Sequence, residues 1–505
     1  MRVVLLVLAS AALHALAFPP WEVVPLAFCA VTPFLVALRG LSPGRAALAG
    51  HLWGSAAIWG VGYWVADALT FYYQQPWWFG LLFCLVGCQI LWGLYYALFA
   101  AGAAVVLPRL APHWRPPATA VLWVACELAR ARLLTGEPWM LLGYALAPSA
   151  HLVQAADLGG VYLLSLAAIL SNAALAELVL APATARRRLA ASLLTPPLLL
   201  VAGLGAYGTW RLAEQFPHDP PVRVTLVQGN NDVGSQWRAE LYGAGLARYA
   251  TLSREAARAT DIDLLVWPES AVTFFPAHEP GYRATLADLV REVDADLLLG
   301  APHHERGADY FNSAFHMRAD GAVSGRYDKV HLLPFGEYFP LRFLAFLRRH
   351  FERVRSFTPG DDGVLLETRA GPTAVLICFE AIFPEVVRAR MRAGARLLVN
   401  LSNDVWLGRG VGQVQHLAMV VLRAVENRTW VVRATTTGIS AFIDPWGRVR
   451  GTTPLDAEAV LSETVTPQRI VTPYERVGDL FAYACVAVAL GLLLGCVLSR
   501  PGRRG

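Results

Sequence analysis

Hydrophobic and polar positions follow two different patterns along the 505-residue chain. Up to about residue 210 apolar residues run almost without interruption. Between about 220 and 470 they come in short blocks separated by polar residues, and from 478 to 498 the continuous apolar pattern returns. A helix that crosses a bilayer needs about 20 mostly apolar residues. On that basis eight spans are predicted, near 3–18, 23–38, 48–72, 78–106, 117–134, 160–181, 189–208 and 478–498. The first two are short and divided by Phe18-Pro19-Pro20-Trp21, and the fifth is punctuated by Glu127, Arg130 and Arg132. The first span has an alternative reading as a signal peptide, because Met1-Arg2, an apolar run and Ala15-Leu16-Ala17 resemble a cleavable leader.

The middle region alternates strand and helix signals. Val222–Gln228, Asp263–Trp267, Leu297–Gly300, Thr373–Cys378 and Leu397–Asn400 read as buried strands. Residues 239–259, 281–293, 379–392 and 413–427 carry helical spacing. Residues 311–317 and 325–330 suggest a hairpin across Asp320-Gly321, and 430–434 and 440–444 suggest two further strands. Such alternation implies α/β layers. The predicted organisation is a membrane domain at 1–210, a soluble α/β domain at 220–470 and a last membrane helix at 478–498.

Composition agrees with this division. The chain is 55% hydrophobic and 16% charged, against about 25% charged in an average soluble protein. Sixteen tryptophans suit wide membrane interfaces. The net charge of +5 comes largely from arginines in short loops, so it bears on membrane orientation and not on nucleic acid. Arg39 and Arg45, Arg109 and Arg115, Arg186 to Arg188, and Arg500, Arg503 and Arg504 fall in alternate loops; the intervening ones are poor in basic residues. The positive-inside rule puts the basic loops and both termini in the cytoplasm and residues 220–470 outside it.

Cys378 is the only cysteine between 220 and 470; the other six lie in apolar stretches. It sits in Ala-Val-Leu-Ile-Cys-Phe-Glu, a buried-strand pattern ending in a cysteine and a carboxylate. A thiol there is either a small core residue or a reactive nucleophile. Glu269 follows a strand in Trp267-Pro268-Glu269-Ser270, at the edge where α/β proteins place their sites. Lys329 closes another strand and is the chain's only lysine among 43 lysines and arginines. A compact ammonium is not interchangeable with a guanidinium at a tight site. Together a carboxylate base, an ammonium and a thiol can form and discharge a thioester.

The order Glu269, Lys329, Cys378 and the surrounding Trp-Pro-Glu, Lys-Val-His-Leu-Leu-Pro-Phe-Gly-Glu and Ile-Cys-Phe-Glu segments resemble the nitrilase superfamily. The resemblance implies an αββα sandwich with these three residues as its catalytic triad. An eight-helix membrane part with such a domain inserted before the last helix resembles the membrane-embedded branch, the apolipoprotein N-acyltransferase family. Supporting stretches are Leu134-Thr-Gly-Glu-Pro-Trp, Gly159-Gly-Val-Tyr, Gln228-Gly-Asn, Ser402-Asn-Asp-Val-Trp-Leu-Gly, Gln415-His and Thr472-Pro-Tyr. By the same likeness Glu337 and Glu380 support the active site, Asn403, Asp404 and Trp406 line it, and Trp237 falls on a substrate-binding arm. Phe379 stands where the family usually has tyrosine, and Thr436-Thr437-Gly438 replaces a stretch that usually contains asparagine. Both departures bear on the shape of the acceptor pocket.

The activity so implied is acyl transfer from a phospholipid, phosphatidylethanolamine, to the N-terminal amine of a diacylated apolipoprotein. The enzyme would work in the bacterial inner membrane with its catalytic domain on the periplasmic side. It is expected to be a monomer, without metal, cofactor or nucleic acid. Two other readings remain open at this point: a membrane-tethered amidase-type hydrolase, and a transporter or scaffold with an inactive enzyme domain.

Overall fold

A computed structural model describes residues 1–134, 136–215, 220–231, 239–305, 309–340, 356–408 and 410–499. The chain forms two compact units. A helical unit comprises Met1–Ala66, Trp77–Glu214 and the stretch from Arg476 onward, and a second unit comprises Asp67–Pro76 and Gln215–Glu475.

The helices up to residue 213 are α1 (Arg2–Leu16), α2 (Thr32–Leu38), α3 (Pro43–Gly62), α4 (Trp64–Phe71), α5 (Trp77–Cys88), α6 (Leu94–Val106), α7 (Arg115–Arg132), α8 (Ala156–Leu180) and α9 (Ala183–Ala213). In the second unit the order is β1 (Val222–Gln228), α10 (Ala239–Ala259), β2 (Leu264–Val266), α11 (Pro280–Val293), β3 (Asp296–His304), β4 (Tyr310–Met317), β5 (Val323–Asp328), β6 (Leu366–Thr368), β7 (Gly371–Ile377), α12 (Pro384–Arg392), β8 (Leu397–Ser402), α13 (Val411–Asn427), β9 (Val431–Thr435), β10 (Ala441–Ile443), β11 (Val449–Thr452) and β12 (Ala459–Val465). Helices α14 (Pro473–Val477) and α15 (Leu480–Leu498) follow.

Among the described residues three helices are long and apolar enough to cross a membrane: Leu152–Leu180, which is α8 with the short turn leading into it, α9 and α15. The sequence predicts eight spans, and the difference has local causes. The 48–72 segment divides at Tyr63 into α3 and α4. The 78–106 segment is interrupted by a π-turn at Gln89–Gly93. Helix α7 carries Glu127, Arg130 and Arg132, and α1 and α2 are short. Close packing still organises these pieces. A side chain at Gly50 of α3 would sit 2.2 Å from the Tyr96 carbonyl oxygen of α6. Without one the two backbones can approach, as small residues allow between membrane helices.

Several charges inside the helical unit are paired. Asp157 meets Arg211 at 2.9 Å, Glu137 meets Arg130 at 3.2 Å, and Glu177 meets both Arg39 (2.9 Å) and Arg115 (3.0 Å). Arg132 binds Asp479 at the start of α15.

The second unit is built on two six-stranded sheets among the described residues, in the orders β12-β1-β2-β3-β4-β5 and β11-β10-β9-β8-β7-β6. Each has a parallel centre, β1-β2-β3 in one and β7-β8-β9 in the other, with antiparallel strands outside it. Leu265, Trp267, Leu297 and Leu299 of the first sheet pack against Leu246 and Tyr249 of α10 and Leu286 and Val290 of α11. Leu376, Leu398 and Val431 of the second pack against Val387 and Met391 of α12 and Val420 and Ala424 of α13. Helices therefore cover an outer face of each sheet, and the inner faces, which carry the buried Val224, Leu226, Val375, Val399 and Val432, are joined by a polar cluster. There Gln228 Oε1 accepts hydrogen bonds from Thr435, Ser440 and Thr453. This is the αββα sandwich that the sequence resemblance implies.

Candidate active site

Each candidate residue stands just beyond a strand. Pro268 removes a donor after β2, the ladder stops, and Glu269 follows. Lys329 follows β5, its N–H donating to the Asn312 oxygen at 2.8 Å. Cys378 follows β7 and turns the chain into a short 3-10 segment with φ of 52°, a conformation uncommon for a residue with a side chain. The parallel strands β2, β7 and β8 thus present Glu269, Cys378 and Asn403 at their carboxyl ends. Gly300 on β3 lies against this edge. A Cβ there would come within 2.5 Å of the Glu269 Cα, so the strand beside the glutamate must carry no side chain at that position.

The three residues line one cleft of about 630 Å3, mouth included, together with Tyr72, Tyr73, Asn312, Glu337, Asn403 and Trp406. Lys329 is almost wholly buried, with 1% of its surface exposed. Its Nζ lies 2.8 Å from Glu337 Oε2 and 4.0 Å from Glu269 Oε1. Asn312 Nδ2 donates to both carboxylates, at 2.6 Å to Glu269 Oε1 and 2.6 Å to Glu337 Oε1. The Asn403 N–H donates to Glu269 Oε2 at 2.6 Å, and the Leu333 N–H to Glu337 Oε2 at 2.7 Å. Trp406 Nε1–H donates to Cys378 Sγ at 3.2 Å.

One ammonium among two buried carboxylates leaves an excess of negative charge. Burial pushes Glu269 up to about 7, against the pull of Lys329 and with the help of Glu337. Burial opposes the charge on Lys329, but Glu337 and then Glu269 outweigh it and hold the ammonium above its ordinary range. For Cys378, burial and then Glu269 raise the thiol well above its ordinary range, although Lys329 pulls it down. The thiol therefore rests protonated, and a base poised near neutrality is the group suited to take its proton.

Glu380, next but one to the cysteine, turns away from the reacting groups. Its Oε1 accepts from Tyr327 Oη (2.7 Å) and the Val330 and His331 N–H groups (2.9 and 3.1 Å), and Oε2 from the Ile377 N–H (2.7 Å). It ties the chain leaving β5, which carries Lys329, to the turn that carries Cys378. Asp404 is buried under the same rim. Burial would raise it, but Arg433 at 2.6 Å and then His416 hold it well below the usual carboxylate range. Ser402 Oγ also donates to it at 2.6 Å. This anchors the 402–406 loop, and with it Asn403 and Trp406. Phe379 packs edge-on against Phe383 at 5.0 Å and against Trp406 at 6.5 Å. Thr436 donates to the Asn403 side chain at 2.8 Å. Trp237 lies outside the described residues.

Sequence reasoning passed over Asn312, Arg433 and the Tyr72-Tyr73 pair. A polar residue at a buried position of the Tyr-Phe-Asn-Ser-Ala-Phe strand was the available signal for Asn312. Tyr73 Oη donates to the Phe335 oxygen at 2.9 Å, a link across 262 positions that no local pattern carries.

A doubly sheeted αββα unit with Glu, Lys and Cys at adjoining strand ends is a carbon-nitrogen hydrolase domain, and the family model described as Carbon-nitrogen hydrolase matches residues 223–472. A second model, described as Apolipoprotein N-acyltransferase N-terminal domain, matches residues 10–174. An apolipoprotein N-acyltransferase of Geobacter metallireducens is 40% identical over 497 residues, 96% of this chain and 93% of the relative. One of Pseudomonas aeruginosa is 36% identical over 516 residues, 99% of this chain and 97% of the relative. The chain belongs to the apolipoprotein N-acyltransferase family. Among solved structures, Nit3 of Saccharomyces cerevisiae, from the nitrilase superfamily, is 19% identical with a TM-score of 0.40, covering 58% of this chain and 100% of Nit3.

Proposed function

We propose that this chain is an acyltransferase that completes lipoprotein maturation by moving a fatty acyl chain from a membrane phospholipid to the N-terminal amine of an S-diacylglyceryl-cysteine. The reading rests on membership of the family along nearly the whole chain and, above all, on the convergence of Glu269, Lys329 and Cys378 in one cleft.

In the first half-reaction Glu269 takes the Cys378 proton and the thiolate attacks the ester carbonyl carbon. The oxyanion formed is held by the Lys329 ammonium. The ester C–O bond then breaks, Glu269 returns the proton to the departing lysophospholipid oxygen, and a thioester remains. In the second half-reaction the acceptor amine attacks the thioester carbonyl. Glu269 takes the amine proton, the C–S bond breaks, and the proton passes to Cys378 Sγ. Glu337 pairs with Lys329 throughout, Asn312 bridges the two carboxylates, and Trp406 Nε1–H stabilises negative charge on sulfur. The chain's own groups supply each of these steps.

Both substrates are lipids, which accounts for the long apolar helices. We read the remaining apolar segments as further crossings made by broken or short helices, for about eight in all. The distribution of arginines supports a topology with the basic loops and both termini in the cytoplasm and the sandwich on the periplasmic side of the inner membrane. Phosphatidylethanolamine is the donor we favour, and a monomer suffices because all the named groups come from one chain.

The test is to incubate the purified protein with phospholipid, then add a diacylated lipopeptide and follow both by mass spectrometry. An acyl-enzyme that survives in water and discharges onto the peptide amine is expected. Rapid release of free fatty acid, indifferent to the peptide, would replace the transferase with a hydrolase.

A further inference from the structure

At one end of the helical unit a second cavity, about 780 Å3 with its mouth, opens between the last turns of α2, α6 and α8 and the start of α7. Its walls are apolar: Leu35, Leu38 and Leu41, Ala103 and Ala104, Leu107 and Leu180. Its polar rim is made by Arg39 and Glu177, with Arg115 behind Glu177.

The rim is not electrically balanced. Arg39 Nη1 and Nη2 donate to the two Glu177 oxygens at 2.9 and 3.4 Å, and Arg115 Nη1 donates to Glu177 Oε2 at 3.0 Å. Two guanidiniums therefore share one carboxylate. The Arg115 Nε also donates to the Leu107 and Leu110 oxygens, both at 3.0 Å. A guanidinium offers five N–H groups, and these bonds occupy only some of them on each arginine. The neighbouring turns add Arg45, Arg109 and Arg186 to Arg188, and residues 36–48, 104–119 and 174–190 contain no acid other than Glu177. Arg186 bends back onto the end of α8, donating to the Val179 and Ala181 oxygens at 3.4 and 3.3 Å.

We infer that this end of the helical unit binds an anionic phospholipid, with its phosphate beside Arg39 and Arg115 and part of an acyl chain in the cavity. Excess positive charge at the mouth of an apolar slot between helices matches a molecule that is anionic at one end and hydrocarbon at the other. A zwitterionic lipid would bring an ammonium into a rim that is already positive. Free phosphate would leave the apolar walls uncovered. The site is separate from the cleft of Cys378 and shares no residue with it. If the proposed topology holds, its lipid comes from the cytoplasmic leaflet.

The experiment uses the full-length protein in detergent and a phosphatidylglycerol that bears a photoreactive group on one acyl chain. After irradiation the labelled peptides are mapped by mass spectrometry. Label is expected on the peptides containing residues 35–41, 103–108 or 173–180. Unlabelled phosphatidylglycerol should compete at least about tenfold better than phosphatidylethanolamine, and inorganic phosphate should not compete. Arg39→Gln leaves Glu177 paired with Arg115, so the fold is retained, and labelling of these peptides should drop severalfold. Ala104→Phe, which fills the slot and spares the arginines, should do the same, while Arg254→Gln in the other unit should change nothing. Label spread over lipid-facing helices without headgroup preference, or equal labelling in Arg39→Gln, would overturn the site and leave Arg39–Glu177–Arg115 as a tie between helices.

Discussion

In the helical unit Asp157 faces Arg211 and Asp479 faces Arg132, so each of these two buried acids meets a guanidinium. In the sandwich unit the Lys329 ammonium faces both Glu269 and Glu337 with a thiol alongside, and the carboxylates outnumber the cation. Asp404, in the same unit but one layer deeper, is again matched to an arginine. The contrast separates two uses of buried charge. A matched pair fixes one geometry. A mismatched set keeps one carboxylate near neutrality, able to take a proton and give it back.

This comparison can be broken by experiment. The largest effect belongs to the nucleophile. Cys378→Ala should abolish the acyl-enzyme that forms with phospholipid alone, and Cys378→Ser should be nearly inert, because an alkoxide is much harder to generate than a thiolate. Acyl-enzyme surviving in Cys378→Ala would put the chemistry elsewhere.

Next comes the base. Glu269→Gln preserves the shape and removes proton transfer, so acyl-enzyme formation should fall by about 10²-fold or more. Its pH dependence sharpens the test. Glu269 must be ionised to act, and burial has raised it to about 7. The wild-type rate should therefore decline as pH falls through about 7, well above the usual carboxylate range, and Glu269→Gln should lose that inflection. An inflection that persists in the variant would assign it to another group.

Lys329→Arg keeps the charge and loses the compact geometry. A drop of at least about tenfold is expected, approaching the roughly 10²-fold cost of losing an oxyanion donor. A fully active variant would show that position 329 needs charge alone.

The smallest kinetic effect should come from the helical unit. Glu177→Gln leaves Arg39 and Arg115 without their shared carboxylate. Thermal stability should fall by about 1–3 kcal/mol while the acyl-enzyme rate per folded molecule stays within about twofold. A large rate loss there would show that charges of the helical unit also govern the chemistry at Cys378.

Much of this was legible in the sequence, for identifiable reasons. The apolar blocks 264–266, 371–377 and 397–402 are strands buried on both faces, and such strands read as continuous apolar runs. The site was legible because its residues were out of place: one lysine in the whole chain, one thiol in a polar domain, an acid straight after Trp-Pro. Strands β6, β11 and β12 escaped notice. They are three to seven residues long, β11 is largely exposed and β12 largely half-buried, so no long apolar run marks them. The breaks at Tyr63 and Gln89–Gly93 escaped for the opposite reason, since hydropathy stays high through a change of backbone geometry. Asn312 acts through partners 43 and 25 positions away, a relation that only folding creates.

The solitary lysine also makes the molecule a reporter on itself. An amine-selective reagent meets one ε-amine in the chain, and in the folded protein that amine is buried at 1% exposure and held protonated against Glu337. Neither condition allows it to react at neutral pH. Acquisition of a label at this position would therefore time the transient opening of the sandwich, in intact membranes and with no engineered tag, while every arginine in the chain stays silent.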